Sequence, residues 1–236
     1  MTYNNIHKGI FLSRPNRFIA EIEINGKVET CHVKNTGRCK ELLIPGTTAY
    51  VNAANNPSRT TKYDLVAVNK GDTLINIDSQ APNAAFSEYL QQGKFTDAGH
   101  ITTIKSEARY NTSRFDFYVE TATCNAFIEV KGVTLEYNGI AMFPDAPTQR
   151  GIKHLTELAA CVKDGYNAFV VFVIQMKGVS QFMPNNTIHA AFGETLAKAV
   201  EMGVVVKAFD CIISPESMVI DAPITIKLKY MPLFAI

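Results

Sequence analysis

The sequence has no run of 18 apolar residues, and its start, Met1-Thr2-Tyr3-Asn4-Asn5, has no basic stretch leading into an apolar one. A membrane-spanning helix and a secretory leader are therefore both without support. Its five cysteines (Cys31, Cys39, Cys124, Cys161 and Cys211) are scattered, with no C-x-x-C spacing. An odd, unpaired set of this kind offers neither a zinc ligand pair nor a complete disulfide framework, so a reduced, cytoplasmic protein is expected. Charge of one sign is lacking as well: 23 Lys and Arg stand against 22 Asp and Glu, a net +1. That balance argues against a uniformly basic nucleic-acid binder. The motifs G-x-x-x-x-G-K, G-x-G-x-x-G, G-x-S-x-G and H-E-x-x-H are all absent. P-loop hydrolysis, a Rossmann cofactor, α/β-hydrolase chemistry and a zincin site lose their usual sequence support. Internal repeats and low-complexity stretches are also missing.

What is present is ordinary globular material: 236 residues, 47% hydrophobic and 19% charged. That length suffices for one large or two small domains, each with its own core. The near-neutral total hides an asymmetry. Residues 1–80 hold ten Lys and Arg against seven Asp and Glu, while residues 81–236 hold thirteen against fifteen. A groove for nucleic acid needs local rather than global positive potential, so the imbalance is compatible with one.

Residues 17–24 alternate toward their end, Asn25-Gly26 is a two-residue hairpin signal, and 27–33 returns as a second strand. Thr36 would cap a short helix over 38–43, stopped by Pro45-Gly46. Strands at 47–52, 63–68 and 74–77 follow, the last two joined around Lys70-Gly71-Asp72. Five short strands and one helix in this space predict a small barrel of the oligonucleotide-binding (OB) type over residues 1–80. After a boundary at 78–83, Asn83 would cap a helix over 84–92 that ends at Gly93. Strands are expected at 101–107, 113–120, 126–131 and 140–143, then a helix after Pro147 that runs to Asp164. Residues 168–175 are a nearly unbroken apolar run, the mark of a strand buried on both faces. A helix near 190–202 leads into a strand at 204–208. Residues 81–236 therefore read as an α/β domain with a central mixed sheet. The stretch 224–230 would close that sheet or pair with a second subunit, and the oligomeric state, a homodimer included, stays open.

The chemistry concentrates in Ser113-Arg114-Phe115-Asp116-Phe117 and Phe127-Ile128-Glu129-Val130-Lys131. Strand alternation puts Arg114, Asp116 and Tyr118 on one face, with Phe115, Phe117 and Val119 opposite. In the second run Glu129 and Lys131 share a face. If the strands pair, an Asp, a Glu and a Lys converge. Two carboxylates can hold a divalent cation, and a nearby ammonium can orient a water or stabilise charge on a phosphate. On the helix after Pro147, Ile152, Leu155, Leu158, Ala159 and Val162 share one arc. Gln149, Arg150, Lys153 and Glu157 lie opposite, with His154 at the edge. Gln149, Arg150 and Lys153 would stand where the helix dipole favours a phosphate.

Taken together, several blocks make the chain resemble the sugar fermentation stimulation protein A (SfsA) family over nearly its whole length. They are Asn35-Thr36-Gly37-Arg38 with Lys40 to Gly46, Ser113 to Phe117, and Glu129 to Leu135. Phe143 to Gly151 with Lys153-His154-Leu155, and Phe182-Met183-Pro184-Asn185, complete the set. The resemblance implies an OB-fold N-terminal domain, a restriction-endonuclease-like C-terminal domain, DNA as partner, and regulation of sugar metabolism genes. That nuclease superfamily carries an Asp on one strand and Glu-x-Lys on the next (PD-(D/E)XK), here Asp116 with Glu129, Val130 and Lys131. The proline often found before the Asp is Phe115 in this chain. The expected function is DNA binding with a metal-dependent nuclease site. Asp116, Glu129 and the Val130 carbonyl would hold Mg²⁺ or Mn²⁺, and Lys131 would act on the water or the transition state. The alternative is a DNA-binding regulator that does not cut, since the superfamily includes such members.

Around this centre the sequence leaves choices. Glu88 is either a further metal ligand or a solvated helix position, and Glu107 poses the same choice. Asp145, in a proline-flanked turn, caps the following helix or serves the site. Arg150, Lys153 and His154 contact phosphate or form a solvated helix face. In the barrel, Arg14, Arg17, Asn35, Arg38 and Lys40 are candidate phosphate contacts. Phe11, Phe18 and Tyr63 would stack on bases or, more ordinarily, fill the core.

Overall fold

The computed structural model describes residues 1–35, 37–56 and 58–228. The chain opens with β1 (Ile6–Asn16), β2 (Ile19–Ile24) and β3 (Lys27–Val33), followed by β4 (Thr48–Ala53), β5 (Tyr63–Lys70) and β6 (Thr73–Asn76). Asn25 and Gly26 both take positive φ, as the tight β2–β3 hairpin requires. The sheet runs β3-β2-β1-β4-β5-β6 and closes through a parallel β3–β5 pairing, Cys31 opposite Tyr63 and Val33 opposite Leu65. Five strands thus form a closed OB-type barrel around Phe11, Ile22, Val33, Val51 and Leu65.

β1 is the barrel strand that sequence patterning passes over. Only Gly9 and Phe11 of its 11 residues are buried, and its pairing with β2 slips register twice, so no period-2 signal survives. Nor do residues 38–43 form the expected helix. They make a single turn in which Leu42 and Leu43 N–H both donate to the Cys39 carbonyl. The reason lies across the barrel: the Arg14 guanidinium takes up the carbonyls of Arg17, Asn35, Gly37 and Arg38 at 2.6–2.8 Å, which fixes this loop in a non-helical course. Thr36, the expected cap, lies outside the described residues.

The second unit begins with α1 (Ala81–Gln91), three residues earlier than expected, with Pro82 in its first turn. A short 3-10 turn (Thr96–Ala98) leads to β7 (Ile101–Tyr110), β8 (Ser113–Thr121) and β9 (Ala126–Val133), then the short β10 (Leu135–Tyr137) and β11 (Ile140–Phe143). Next come α2 (Gln149–Lys163), β12 (Asn167–Ile174), β13 (Gln181–Pro184), α3 (Asn186–Glu201), β14 (Val205–Ser214), β15 (Ser217–Pro223) and β16 (Thr225–Ile226). The main sheet has the order β15-β14-β12-β9-β8-β7, parallel at β9, β12 and β14 and antiparallel at both flanks. β12 lies at its centre, and Ala168 to Ile174 are all buried, which explains its unbroken apolar run. α1 covers one face through Phe86 and Leu90; α2 and α3 cover the other through Leu155, Leu158, Phe192 and Leu196.

Asn185 caps α3 by accepting from Ile188 N–H, so this helix also starts before its expected position at residue 190. Part of 224–230 forms a strand within the chain, where Thr225 and Ile226 pair with Gln181 and Phe182; residues 229–230 lie outside the described ones. The described residues contain no disulfide, and burial raises the Cys31, Cys39 and Cys161 thiols to about 12. No helix among them is long and apolar enough to cross a membrane.

Two points hold the barrel closed, and each yields a prediction. A Cβ on Gly9 would sit 2.6 Å from the Glu23 carbonyl oxygen and 2.7 Å from an Ile22 methyl. Gly9→Ala should therefore cost about 1–3 kcal/mol of stability, read as a lower urea midpoint at unchanged slope. At the β3–β5 seam Asp64 is 4% exposed and bonds Arg59 through both oxygens (2.6 and 3.1 Å), His32 at 3.1 Å and Lys34 at 3.5 Å. Burial raises this carboxyl, but the Arg59, Lys34 and His32 contacts together outweigh it and hold Asp64 below the ordinary aspartate value. The unfolded chain then binds the proton more readily than the native one. The contribution is fully present above the unfolded value of about 4 and fades as pH falls through the lower native one. Asp64→Asn should cost about 3 kcal/mol at pH 7, and its unfolding curve should converge on that of the wild type in acid.

Candidate active site

β8 and β9 pair only from Phe117 opposite Ile128 to Val119 opposite Ala126. Upstream of Phe117 the two strands part, and the Asp116 side chain occupies the fork. Its Oδ2 accepts the Val130 backbone N–H at 2.7 Å, and its Oδ1 accepts from Asn83 Nδ2 of α1, also at 2.7 Å. Simple alternation fails here. Phe115 packs toward α2 against Phe127 and His154, whereas Phe117 packs toward α1 against Phe86. Phe115 and Phe117, expected on one face, thus lie on opposite faces, and the β7–β8 register carries no Glu107–Asp116 pair between them. β7 is irregular at the same level: Glu107 has a left-handed φ of 57°.

Glu129 is 3% exposed, a carboxylate placed in the sheet interior. Its Oε1 accepts from His154 Nδ1 at 2.5 Å and pairs with the Lys131 ammonium. Arg150 Nε donates to His154 Nε2 at 3.4 Å. That pattern assigns the imidazole proton to Nδ1, the donor to Glu129. Burial raises the Glu129 carboxyl, but His154 and Lys131 outweigh that and hold it below the ordinary glutamate value. Asp116 goes the other way, to about 6, through burial and the Glu129 charge, only partly offset by the Val130 N–H, Lys131 and Asn83. Glu129 Oε2 is buried and has no hydrogen-bond partner among the described residues.

Asp116, Glu129 and Lys131 are therefore together, with the Val130 backbone between the two carboxylates. His154 is corrected from the edge of the α2 wheel to its buried stripe, spaced three and four residues from Gly151 and Leu158. Gln149 and Arg150 are exposed at the start of α2. Lys153 is exposed but tethered, donating to the Thr112 carbonyl at 3.0 Å. Glu88 is not brought to the centre: its carboxylate pairs with the Met1 ammonium at 2.6 Å. Glu107 pairs with Arg114 at 2.9 Å. Asp145 does not cap α2; Thr148 does, its hydroxyl accepting from Gly151 N–H at 3.0 Å. Asp145 instead lies against Gly37 of the barrel loop.

On the barrel, Arg17, Arg38 and Lys40 are exposed around a groove of about 350 Å³, with Arg14 and Leu43 in its wall. Arg14 is not a free cation, since its guanidinium is committed to four backbone carbonyls. Asn35 Oδ1 accepts from Gly37 N–H and lines a separate cavity of about 120 Å³ beside Gly132, Thr134 and Asp145. Phe11 is core, Tyr63 packs against His7, and Phe18 is 44% exposed beneath the Arg17 guanidinium at 4.6 Å. Two residues of the site escape sequence reading. Asn83 looks like a helix cap but binds Asp116. Gln175, the one polar side chain closing the apolar run of β12, is buried and donates to Asn76 and to the Asp78 carbonyl just before α1. Its Oε1 would lie 2.5 Å from a Cβ on Gly132, so the glycine after Lys131 leaves room for it. A lone glutamine ending such a run was the available signal.

Residues 12–77 match the family model described as the SfsA N-terminal OB domain, and residues 80–217 that of the sugar fermentation stimulation protein RE domain. A sugar fermentation stimulation protein homolog of Ruminiclostridium cellulolyticum is 53% identical over 228 residues, 97% of this chain and 100% of the relative. One from Clostridium beijerinckii is 56% identical over 218 residues, covering 92% and 96%. Among solved structures, that of Pyrococcus furiosus SfsA in complex with Ca²⁺ superposes with a TM-score of 0.88 at 29% identity, covering 96% of this chain and 98% of that one. By sequence over both units and by fold, the chain belongs to the sugar fermentation stimulation protein (SfsA) family.

Proposed function

We propose that this protein binds DNA through residues 1–80 and hydrolyses phosphodiesters at a divalent-metal site in residues 81–236. The observation that carries the reading is the unpartnered, buried Oε2 of Glu129 beside the crowded carboxylate of Asp116. Two hard oxygen donors that repel one another, one with an unsatisfied lone pair, suit Mg²⁺ or Mn²⁺. No cluster of three or more acidic, His or Cys ligands occurs among the described residues. Asp116, Glu129 and the Val130 carbonyl would hold the ion. When bound, it polarises the phosphodiester and lowers the pKa of an attached water. That the Pyrococcus furiosus relative was solved with Ca²⁺ supports an oxygen-ligand cation site here.

The chain's own groups supply the rest. His154 fixes Glu129 Oε1 and leaves Oε2 buried without a partner among the described residues. Asn83 and the Val130 N–H fix Asp116. The Lys131 ammonium, tied to Glu129, stands ready to orient a water or to stabilise charge on the phosphate in the transition state. Exposed Gln149 and Arg150 at the α2 N-terminus, where the helix dipole is positive, would take phosphate. Arg17, Arg38 and Lys40 would hold the strand on the barrel, with Phe18 as a stacking surface. Because the barrel groove is independent of Asp116, a regulator that binds DNA without cutting it is the second reading.

Cleavage of single-stranded, linear and supercoiled DNA with Mg²⁺ or Mn²⁺ tests the proposal. Asp116→Ala and Lys131→Ala should each lower the rate by roughly 10²–10³ while DNA binding persists. Wild-type protein that binds DNA in a salt-dependent way but never cuts it would favour the regulator. A second readout needs no turnover. Millimolar Mn²⁺ or Ca²⁺ should raise the wild-type melting temperature, by about 2.7 kcal/mol of stabilisation at a hundredfold excess over Kd. Glu129→Gln and Asp116→Ala should abolish the shift, and chelator should reverse it.

A further inference from the structure

Two arginines outside this centre face each other across β7 and β8. Arg109 and Arg114 are direct cross-strand partners. Ala108, Tyr110 and Phe115 pack toward α2, so both arginines share the opposite face of the sheet, the one on which α1 reaches Asp116. Both are exposed. Like charges directly opposite in an antiparallel pair weaken the pairing. Only one of the two is neutralised: Arg114 pairs with Glu107, whereas Arg109 makes no ion pair among the described residues. Protection of an edge strand accounts for a charge on β7, the outermost strand, but not for a second one on β8 inside it. An anion between the two guanidinium groups would relieve the repulsion, and arginine binds phosphate through paired N–H donors.

The location gives that anion an identity. Arg114 lies two residues before Asp116 on the same strand, a separation of about 7 Å. Glu107, between the paired Ser106 and Ala108 of β7 and held in a left-handed conformation, reaches Arg114 rather than the fork. We propose that Arg109 and Arg114 form a clamp for a backbone phosphate next to the one at Asp116, with Glu107 occupying Arg114 until the nucleic-acid strand displaces it. This assignment rests on the nucleic-acid reading above and adds to it the contact that sets the strand's direction across the fork.

The test is binding, not cleavage. The anisotropy of a labelled single-stranded and a labelled duplex oligonucleotide is followed with the full chain in chelator, between 50 and 200 mM salt. Arg109→Ala and Arg114→Ala should each weaken binding several-fold and lower the salt slope by about 1. Glu107→Gln should tighten binding. Removing Arg109 should leave the melting temperature unchanged or higher, since it takes away a repulsion. If both arginine variants bind with wild-type affinity and slope while Arg38→Ala binds more weakly, the clamp is overturned and the nucleic-acid reading stands. If the wild-type protein binds neither oligonucleotide, both fall.

Discussion

A carboxylate buried in the middle of a β-sheet is the constraint from which the second unit is built. Glu129 sits on β9, next to the most apolar strand of the molecule, where an ionised group without partners would cost as much as the net stability of a domain or more. The fold answers with two cationic or donor groups on one oxygen, His154 from α2 and Lys131 from the same strand. The docking of α2 follows, because His154 must reach across the sheet face and Thr148 must start the helix where Arg150 can meet the imidazole. The parting of β8 follows as well: a regular ladder past Phe117 would bring backbone rather than the Asp116 carboxylate to the Val130 N–H. Buried polar networks of this kind stabilise little on balance, and this one leaves Glu129 Oε2 without a partner among the described residues.

Much of this was legible in the sequence, and the failures share a cause. The Asn25-Gly26 hairpin, the doubly buried β12, and the Asp116, Glu129, Lys131 triad are all local patterns with a fixed period or a fixed turn geometry. β1 was not legible because bulges and the close approach of Gly9 to its neighbour strand destroy alternation while leaving pairing intact. His154 was placed at the edge of its helix because a wheel sorted by polarity cannot know that the core holds a carboxylate to receive it. Arg14 read as a surface cation, yet its role is decided by four carbonyls that come from as far as Arg38. Asn83 reads as a cap because the Asp116 carboxylate that receives its amide lies on a distant strand, and Phe115 groups with Phe117 because simple alternation carries no sign that the two side chains part at Asp116. In each case the deciding partner is distant in sequence, and single-chain periodicity carries no record of it.

The barrel and the site are coupled by packing rather than by a flexible linker. Asn76 N–H donates to the Gln175 carbonyl, Gln175 Nε2 returns to Asn76 and Asp78, and Lys34 on the barrel bridges Asp64 and Asp78. Lys70 reaches Glu136 at 2.6 Å across the same junction, and one hydrophobic cluster runs from Phe11 to Phe172 without a break. The consequence concerns the path of a bound strand. The loop that Arg14 gathers carries Arg38 into the barrel groove and sets Gly37 against Asp145, four residues before Gln149 on α2. On the proposed reading, a polyanion held at Arg17, Arg38 and Lys40 would leave the barrel beside the positive end of α2, whose next turn holds His154 against Glu129. Because the core is continuous, the fold fixes the position of the barrel groove relative to the fork, and on the proposed reading binding on the barrel would not await domain closure to present a phosphate there.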